Sequence, residues 1–208
     1  MTAVPAATDN RPVTGSTLAY ANRLGAVYFL HAGKTKTGKV RYFVAKAAGA
    51  GALASMPDGF EFTESVNGVV SVRRIDPSAP AVHPGHLALI REELARQAHL
   101  PFHRAEAVRA DIVVFEPAGG LDPQEIGWIS RSLGLGPQIL EQRLSGRAAK
   151  RFTPVLRFEP CGPGEYELRR MTYHGDGGWS WPLARGPIQK LARRYLPVVG
   201  TERFFELL

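Results

Sequence analysis

Apolar and polar positions alternate with a period of two over much of the first 76 residues, which predicts strands rather than helices. Val27-Tyr-Phe-Leu-His and Val40-Arg-Tyr-Phe-Val are β-branched and aromatic runs on either side of a polar, lysine-bearing loop, and they predict a first hairpin. Phe60-Glu-Phe-Thr-Glu-Ser and Val69-Val-Ser-Val-Arg-Arg-Ile form a second pair, joined across Asn67-Gly68, a dipeptide suited to a tight hairpin turn. Alternation puts Val40, Tyr42 and Val44 on one strand face and Arg41 and Phe43 on the other. Between the hairpins, Ala47-Ala-Gly-Ala-Gly-Ala-Leu-Ala-Ser is a small-residue connector. The expectation is a three- or four-stranded antiparallel sheet from about Ala26 to Ile75, with basic residues at its loop and along one edge.

The pattern then changes. Asp76-Pro-Ser-Ala-Pro-Ala-Val-His-Pro-Gly carries three prolines in ten residues and reads as a linker. Leu87, Ile90 and Leu94 recur at helical spacing within a helix expected over His86–His99. Ala110–Glu116 reads as a short buried strand. Asp122-Pro-Gln-Glu125 opens a helix with an acceptor, a first-turn proline and a glutamate in capping positions. Gly134-Leu-Gly-Pro137 ends that helix, and a short partner follows over Gln138–Ser145. Strands are predicted at Thr153–Glu159, Tyr166–Tyr173, Trp179–Leu183 and Arg203–Leu207, with a helix at Pro187–Leu196. The fold class is therefore α+β. It divides into a small-residue-rich tail (1–19, expected to be disordered), a basic β-hairpin module (20–76), a linker (77–85) and an α+β module with an antiparallel sheet (86–208).

Charge sharpens the picture. The chain has 208 residues and a formal net charge of +7. The first 76 residues hold nine cations against five acids, and the remainder seventeen against fourteen, so positive charge is denser in the hairpin module. Arginine outnumbers lysine twenty to six, yet Lys34, Lys36, Lys39 and Lys46 fall within thirteen residues. Such a cationic loop suits an anionic partner. With one cysteine, Cys161, there is no internal disulfide framework. No apolar run approaches the roughly 20 residues that span a bilayer, and the N-terminus lacks the pattern of a secretory signal. These features lead to a cytoplasmic expectation.

Gly33-Lys-Thr-Lys-Thr-Gly38-Lys39 matches the first seven positions of the phosphate-cradling loop of nucleotide hydrolases, but Val40 stands where a hydroxyl residue would hold Mg²⁺. That loop also needs a following helix to supply amide donors, whereas Val40–Val44 reads as a strand. His83, His86, His99 and His103 have the spacing of zinc-finger ligands. A helix between the pairs would hold His86 and His99 about 20 Å apart, too far for one ion, so no metal or cofactor is expected. Cys161, His174 and Asp176 are separated by the Tyr166–Tyr173 strand, roughly 25 Å long, which argues against a thiol dyad. Asp111, Glu116, Glu165 and Glu167 lack the acid-x-Lys partner that a metal-dependent nuclease uses.

The helices at 122–132 and 138–145 have the outline of a helix-turn-helix, but a structural helical pair is the leading reading. As a DNA reader, the pair would turn Gln138, Gln142 and Arg143 to bases and Arg147, Lys150 and Arg151 to phosphates. Trp179 and Trp181 alternate and read as core anchors ahead of a stacking platform. The last helix places Ile188, Leu191 and Tyr195 inward and Lys190, Arg193 and Arg194 outward.

The lysine loop with its Arg-Tyr-Phe strand resembles segments of uncharacterised bacterial proteins carrying a Gly-Lys-Thr-Lys-Thr-Gly-Lys…Arg-Tyr-Phe stretch. The likeness runs from Val27 to about Ile75, and extends to Arg169-Arg-Met-Thr-Tyr and Phe204-Phe-Glu-Leu. It brings no activity with it and so assigns no functional residues. The leading reading is a non-enzymatic nucleic-acid-binding protein, with DNA ahead of RNA. Its phosphate contacts would come from Lys34, Lys36, Lys39, Arg41, Lys46, Arg73, Arg74, Arg147, Lys150 and Arg151. The runner-up is a scaffold module docking an acidic protein, and the third is an enzyme such as a nuclease.

Overall fold

A computed structural model of the chain describes residues 17–78, 80–118, 151–172 and 178–207. The expected helices at 122–132 and 138–145 lie outside these residues. So do Arg147, Lys150, His174 and Asp176. The chain divides between Pro77 and Ser78 into two compact units.

In the first unit, β1 (Ala19–Ala21), β2 (Val27–Lys34) and β3 (Val40–Ala45) form an antiparallel sheet with β2 in the middle. A second antiparallel pair consists of β4 (Phe60–Glu64) and β5 (Val70–Arg74). Strand β1 begins at Ala19, which pairs with Phe29, one residue ahead of the expected module start at 20. It is only three residues long, too short for alternation to reveal it.

One turn design closes three hairpins in this unit. Asn22, Thr35 and Ser65 each occupy the first position, and a left-handed glycine stands three residues later (Gly25, Gly38 and Gly68, φ 79°, 79° and 73°). In each, the glycine N–H donates to the first residue's carbonyl at 2.9 Å, and the first residue's N–H donates to the carbonyl of the fifth. The fifth residue's N–H in turn donates to the first side chain's oxygen at 2.8–3.2 Å. This is a three-residue loop with a glycine bulge. The turn expected across Asn67-Gly68 thus takes in Val66 as well.

The face of the first sheet bearing Leu30, Tyr42 and Val44 packs on the β4–β5 pair. Tyr42 meets Phe60 edge-on at 4.7 Å and Tyr20 meets Phe62 at 5.0 Å between ring centroids. Leu30 is fully buried. Glu64 ties the layers together, accepting from the Tyr20 hydroxyl at 3.0 Å and from the Arg23 amide and Nε at 3.0 and 2.9 Å. Burial and this bond both raise the tyrosine's pKa. The small-residue connector leaves β3, crosses the opposite face and pairs Ala52 with His31 on the far edge of β2.

The second unit is an antiparallel meander of five strands in sequence order. These are β6 (Arg104–Val108), β7 (Asp111–Pro117), β8 (Phe152–Gly162), β9 (Glu165–Arg170) and β10 (Ala184–Pro187). Helices α1 (Pro84–Ala95) and α2 (Ile188–Tyr195) cover one face. Ile90, Leu94, Leu191 and Tyr195 join Ile112, Val114, Leu156, Phe158 and Leu168 in one core. Helix α1 stops four residues before His99. The segment expected as a final strand is instead a short helix, α3 (Glu202–Phe205), preceded by a 3-10 turn at Leu196–Val198. Phe204 alone turns inward there while Phe205 stays 73% exposed, so two adjacent aromatics imitated a strand. Trp179 pairs with Met171 in an isolated bridge and lies under the Arg157 guanidinium at 5.8 Å, whereas Trp181 is 88% exposed. The reading of both tryptophans as core anchors therefore fails for Trp181.

The sheet's other face carries a chain of ion pairs. Arg157 Nε lies 2.8 Å from Asp111 Oδ2, and Arg157 Nη2 lies 3.4 Å from Glu159. Arg169 bonds Glu159 and Glu167, both at 2.9 Å. The Arg157 Nε–Asp111 contact is off the line of a directed hydrogen bond, so it acts through charge. Burial lifts the Asp111 pKa, with the Arg157 charge opposing.

Candidate nucleic-acid interface

The lysine hairpin is a continuous ladder. Lys34 pairs with Val40, Gly33 with Arg41, Ala32 with Tyr42 and His31 with Phe43. Lys39 is therefore followed by a strand, as expected from Val40–Val44, and the loop lacks the helix N-terminus of a nucleotide-hydrolase loop. Thr35 shapes the tip by accepting the Lys39 amide at 3.1 Å and by sharing a 3.0 Å hydrogen bond with the Thr37 hydroxyl.

Lys34, Lys36, Lys39 and Arg41 all stand exposed at or beside this tip. Pairing sends Lys34 to the face of Tyr42, and alternation sends Lys39 and Arg41 to the face of Phe43. Arg74 is brought toward the same end, because its guanidinium lies 5.3 Å over Phe60, which packs on Tyr42. Two other candidates are not brought in. Lys46 is exposed but follows the far end of β3, about 20 Å from Val40 at strand rise. Arg73 faces away from Arg74 along β5 and pairs with Glu61 at 2.7 Å. Arg151 is exposed just before β8 in the second unit.

The Phe43 face holds a stack invisible to residue counting. His31 is 6% exposed, and its Nε2 shares a 3.0 Å hydrogen bond with the Ala47 carbonyl. Its ring stacks on Phe43 at 5.4 Å and 19°. Arg41 Cζ lies 5.4 Å from the Phe43 centroid. A side chain at position 33 would meet the Phe43 ring, since a Cβ there falls 3.2 Å from its Cε1. Gly33, within the strand and opposite Arg41, was the available signal for that close approach.

The other candidate side chains that the structure describes fall into separate local settings. His83 caps α1 by accepting the Gly85 amide at 3.2 Å. His86 Nδ1 shares a 2.8 Å hydrogen bond with the Tyr166 hydroxyl, and burial together with His83 lowers its pKa. His99 Nε2 sits 3.1 Å from the Val199 carbonyl. Both ring nitrogens of His103 are buried without a partner. Burial, reinforced by His99, pushes its pKa down to about 4. Among the described residues no three metal-ligating side chains gather. Cys161 is half-buried near the end of β8. Glu165 and Glu167 sit on β9, and Glu167 is engaged by Arg169. Glu116 accepts from the Thr153 hydroxyl at 3.4 Å, and burial raises its pKa against that bond. On α2, Ile188, Leu191 and Tyr195 are buried while Lys190, Arg193 and Arg194 are exposed. Arg193 reaches Glu93 at 3.6 Å, and Arg194 stacks on Tyr195 at 5.3 Å.

No protein family, curated protein or solved structure matches this chain. Among the described residues, no helix is long and apolar enough to cross a membrane.

Proposed function

We propose that the protein binds nucleic acid, and that the tip of the β2–β3 hairpin is its phosphate-gripping element. One observation carries the reading. Lys34, Lys36, Lys39 and Arg41 are exposed, and none forms an ion pair among the described residues, whereas Arg157 and Arg169 of the second unit are bonded to carboxylates. Unpaired cations on a rigid tip attract a polyanion without first breaking internal pairs, and each phosphate they neutralise releases counterions. The three-residue turn holds the tip's backbone in place, so little ordering entropy is lost on binding. Arg74 extends the basic surface. Lys46, Arg73 and Arg151 lie outside the tip, and DNA is the preferred polymer.

The test is a salt titration of oligonucleotide binding with the Lys34→Ala/Lys36→Ala/Lys39→Ala variant. Losing three phosphate contacts should flatten the log–log salt slope by about 2 on single strands and nearly 3 on duplex. An unchanged slope and affinity would sink the proposal. Displacement by polyglutamate as effective as by a second nucleic acid would instead point to an acidic protein partner.

A further inference from the structure

The tip itself is blind to bases, but the strand behind it is not featureless. Lys39, Arg41 and Phe43 occupy alternate positions and so line one face, repeating about every 6.7 Å. The two nearest the tip are cations and the third is an aromatic ring. That ring is already one layer of a stack. His31 supports it from the adjacent strand and is fixed by the Ala47 carbonyl, while the exposed Arg41 guanidinium lies against it. The stack therefore ends in an exposed guanidinium, itself a planar cation, on the face that Lys39 shares.

A planar guanidinium held over a ring is a good surface for a nucleobase, combining π-stacking with positive charge. Bases inside a duplex are already stacked on one another and offer no free face, so only an unpaired base can use such a plane. Gly33 keeps the approach low. The position opposite Arg41 carries no side chain, and Phe43 leans over it. Building on the nucleic-acid reading above, we infer that the ligand is single-stranded. Its phosphates follow Lys36 and Lys39, and one base stacks on the Arg41–Phe43 array.

The experiment compares a fluorescently labelled single strand with its own duplex, by anisotropy on the full chain at fixed salt. Single-strand affinity should exceed duplex affinity by about tenfold or more. Phe43→Leu should lower single-strand affinity about fivefold or more, the effect of losing one stacked base. Arg41→Lys keeps the charge but removes the plane, and it should collapse the preference for single strands. It alters an exposed side chain, so its result stands even if Phe43→Leu fails to fold. Equal affinity for single strand and duplex, or an undiminished preference in Arg41→Lys, overturns this inference and leaves the lysine-tip reading in place. Absence of binding to either form overturns both.

Discussion

His103 offers the sharpest test of the second unit. Its two ring nitrogens are buried and unpartnered, so protonating it in the folded state places a charge where nothing compensates it. With a folded pKa of about 4 against 6.5 for a free imidazole, the unfolded chain binds the extra proton between those values. Stability contributed by the neutral ring is complete above pH 6.5 and is lost as pH falls towards 4. The same two values give a loss of about 2 kcal/mol between pH 7 and pH 5. Asp111 and Glu116 have raised pKa values; they bind protons more readily when folded and so pull the other way. His86 adds to the His103 effect. The comparison must therefore be made against His103→Phe, which retains those groups. The three tryptophans, Trp128, Trp179 and Trp181, all lie in the second unit, so urea unfolding followed by tryptophan fluorescence reports on that unit. The variant should match or exceed the wild type by about 1 kcal/mol at pH 7, because an unsatisfied buried group is removed. It should also lose most of the difference between pH 7 and pH 5. An acid slope identical to that of the wild type would refute the reasoning.

Four further outcomes are expected. Glu64→Ala removes the shared acceptor of Tyr20 and Arg23 and should destabilise the first unit by about 2 kcal/mol, read by hydrogen exchange of β1 and β4 amides. Phe158→Ala empties a fully buried site and should cost about 3–5 kcal/mol in the second unit; a loss below about 1 kcal/mol by tryptophan-detected unfolding would contradict its place in the core. Gly38→Ala meets open space and should cost only the left-handed backbone term of about 1 kcal/mol, whereas Gly68→Ala also drives a Cβ to 2.9 Å from Leu24 and should cost more. The protein should show no ATP or GTP turnover, and Val40→Thr should create none, because β3 follows Lys39; turnover abolished by Lys39→Ala would show the loop to be a nucleotide site.

Strand alternation was legible wherever five or more residues obeyed it, as in Val40–Ala45 and Phe60–Glu64. It was not legible in β1, whose three residues contain no repeat, or in β6, where Arg104-Ala-Glu-Ala-Val has Val108 alone of the β-branched and aromatic residues that mark a strand. Phe204-Phe205 misled for the opposite reason: residue type suggested a strand, while a single buried ring and a Thr201 N-cap suit a short helix. At the candidate site, sequence revealed the charge but not its distribution. Four lysines adjacent in sequence became three at the tip and one at the other end of β3, because extended backbone separates residues that a loop brings together. The stack beneath Arg41 depends on cross-strand register, which no linear pattern displays.

The repeated turn of the first unit has a practical corollary. Asn22, Thr35 and Ser65 and their glycines fix three loops into the same backbone, but the two residues between the anchors differ in duty: Arg23 bonds Glu64 and Val66 is buried, whereas Lys36 and Thr37 are exposed. At the lysine tip the frame is set by Thr35 and Gly38 and not by the Lys36 side chain. Charge at the hairpin tip is thereby uncoupled from foldability. Such a tip can drift in sequence, gain or lose affinity, or be regrafted, while the sheet beneath it is left undisturbed.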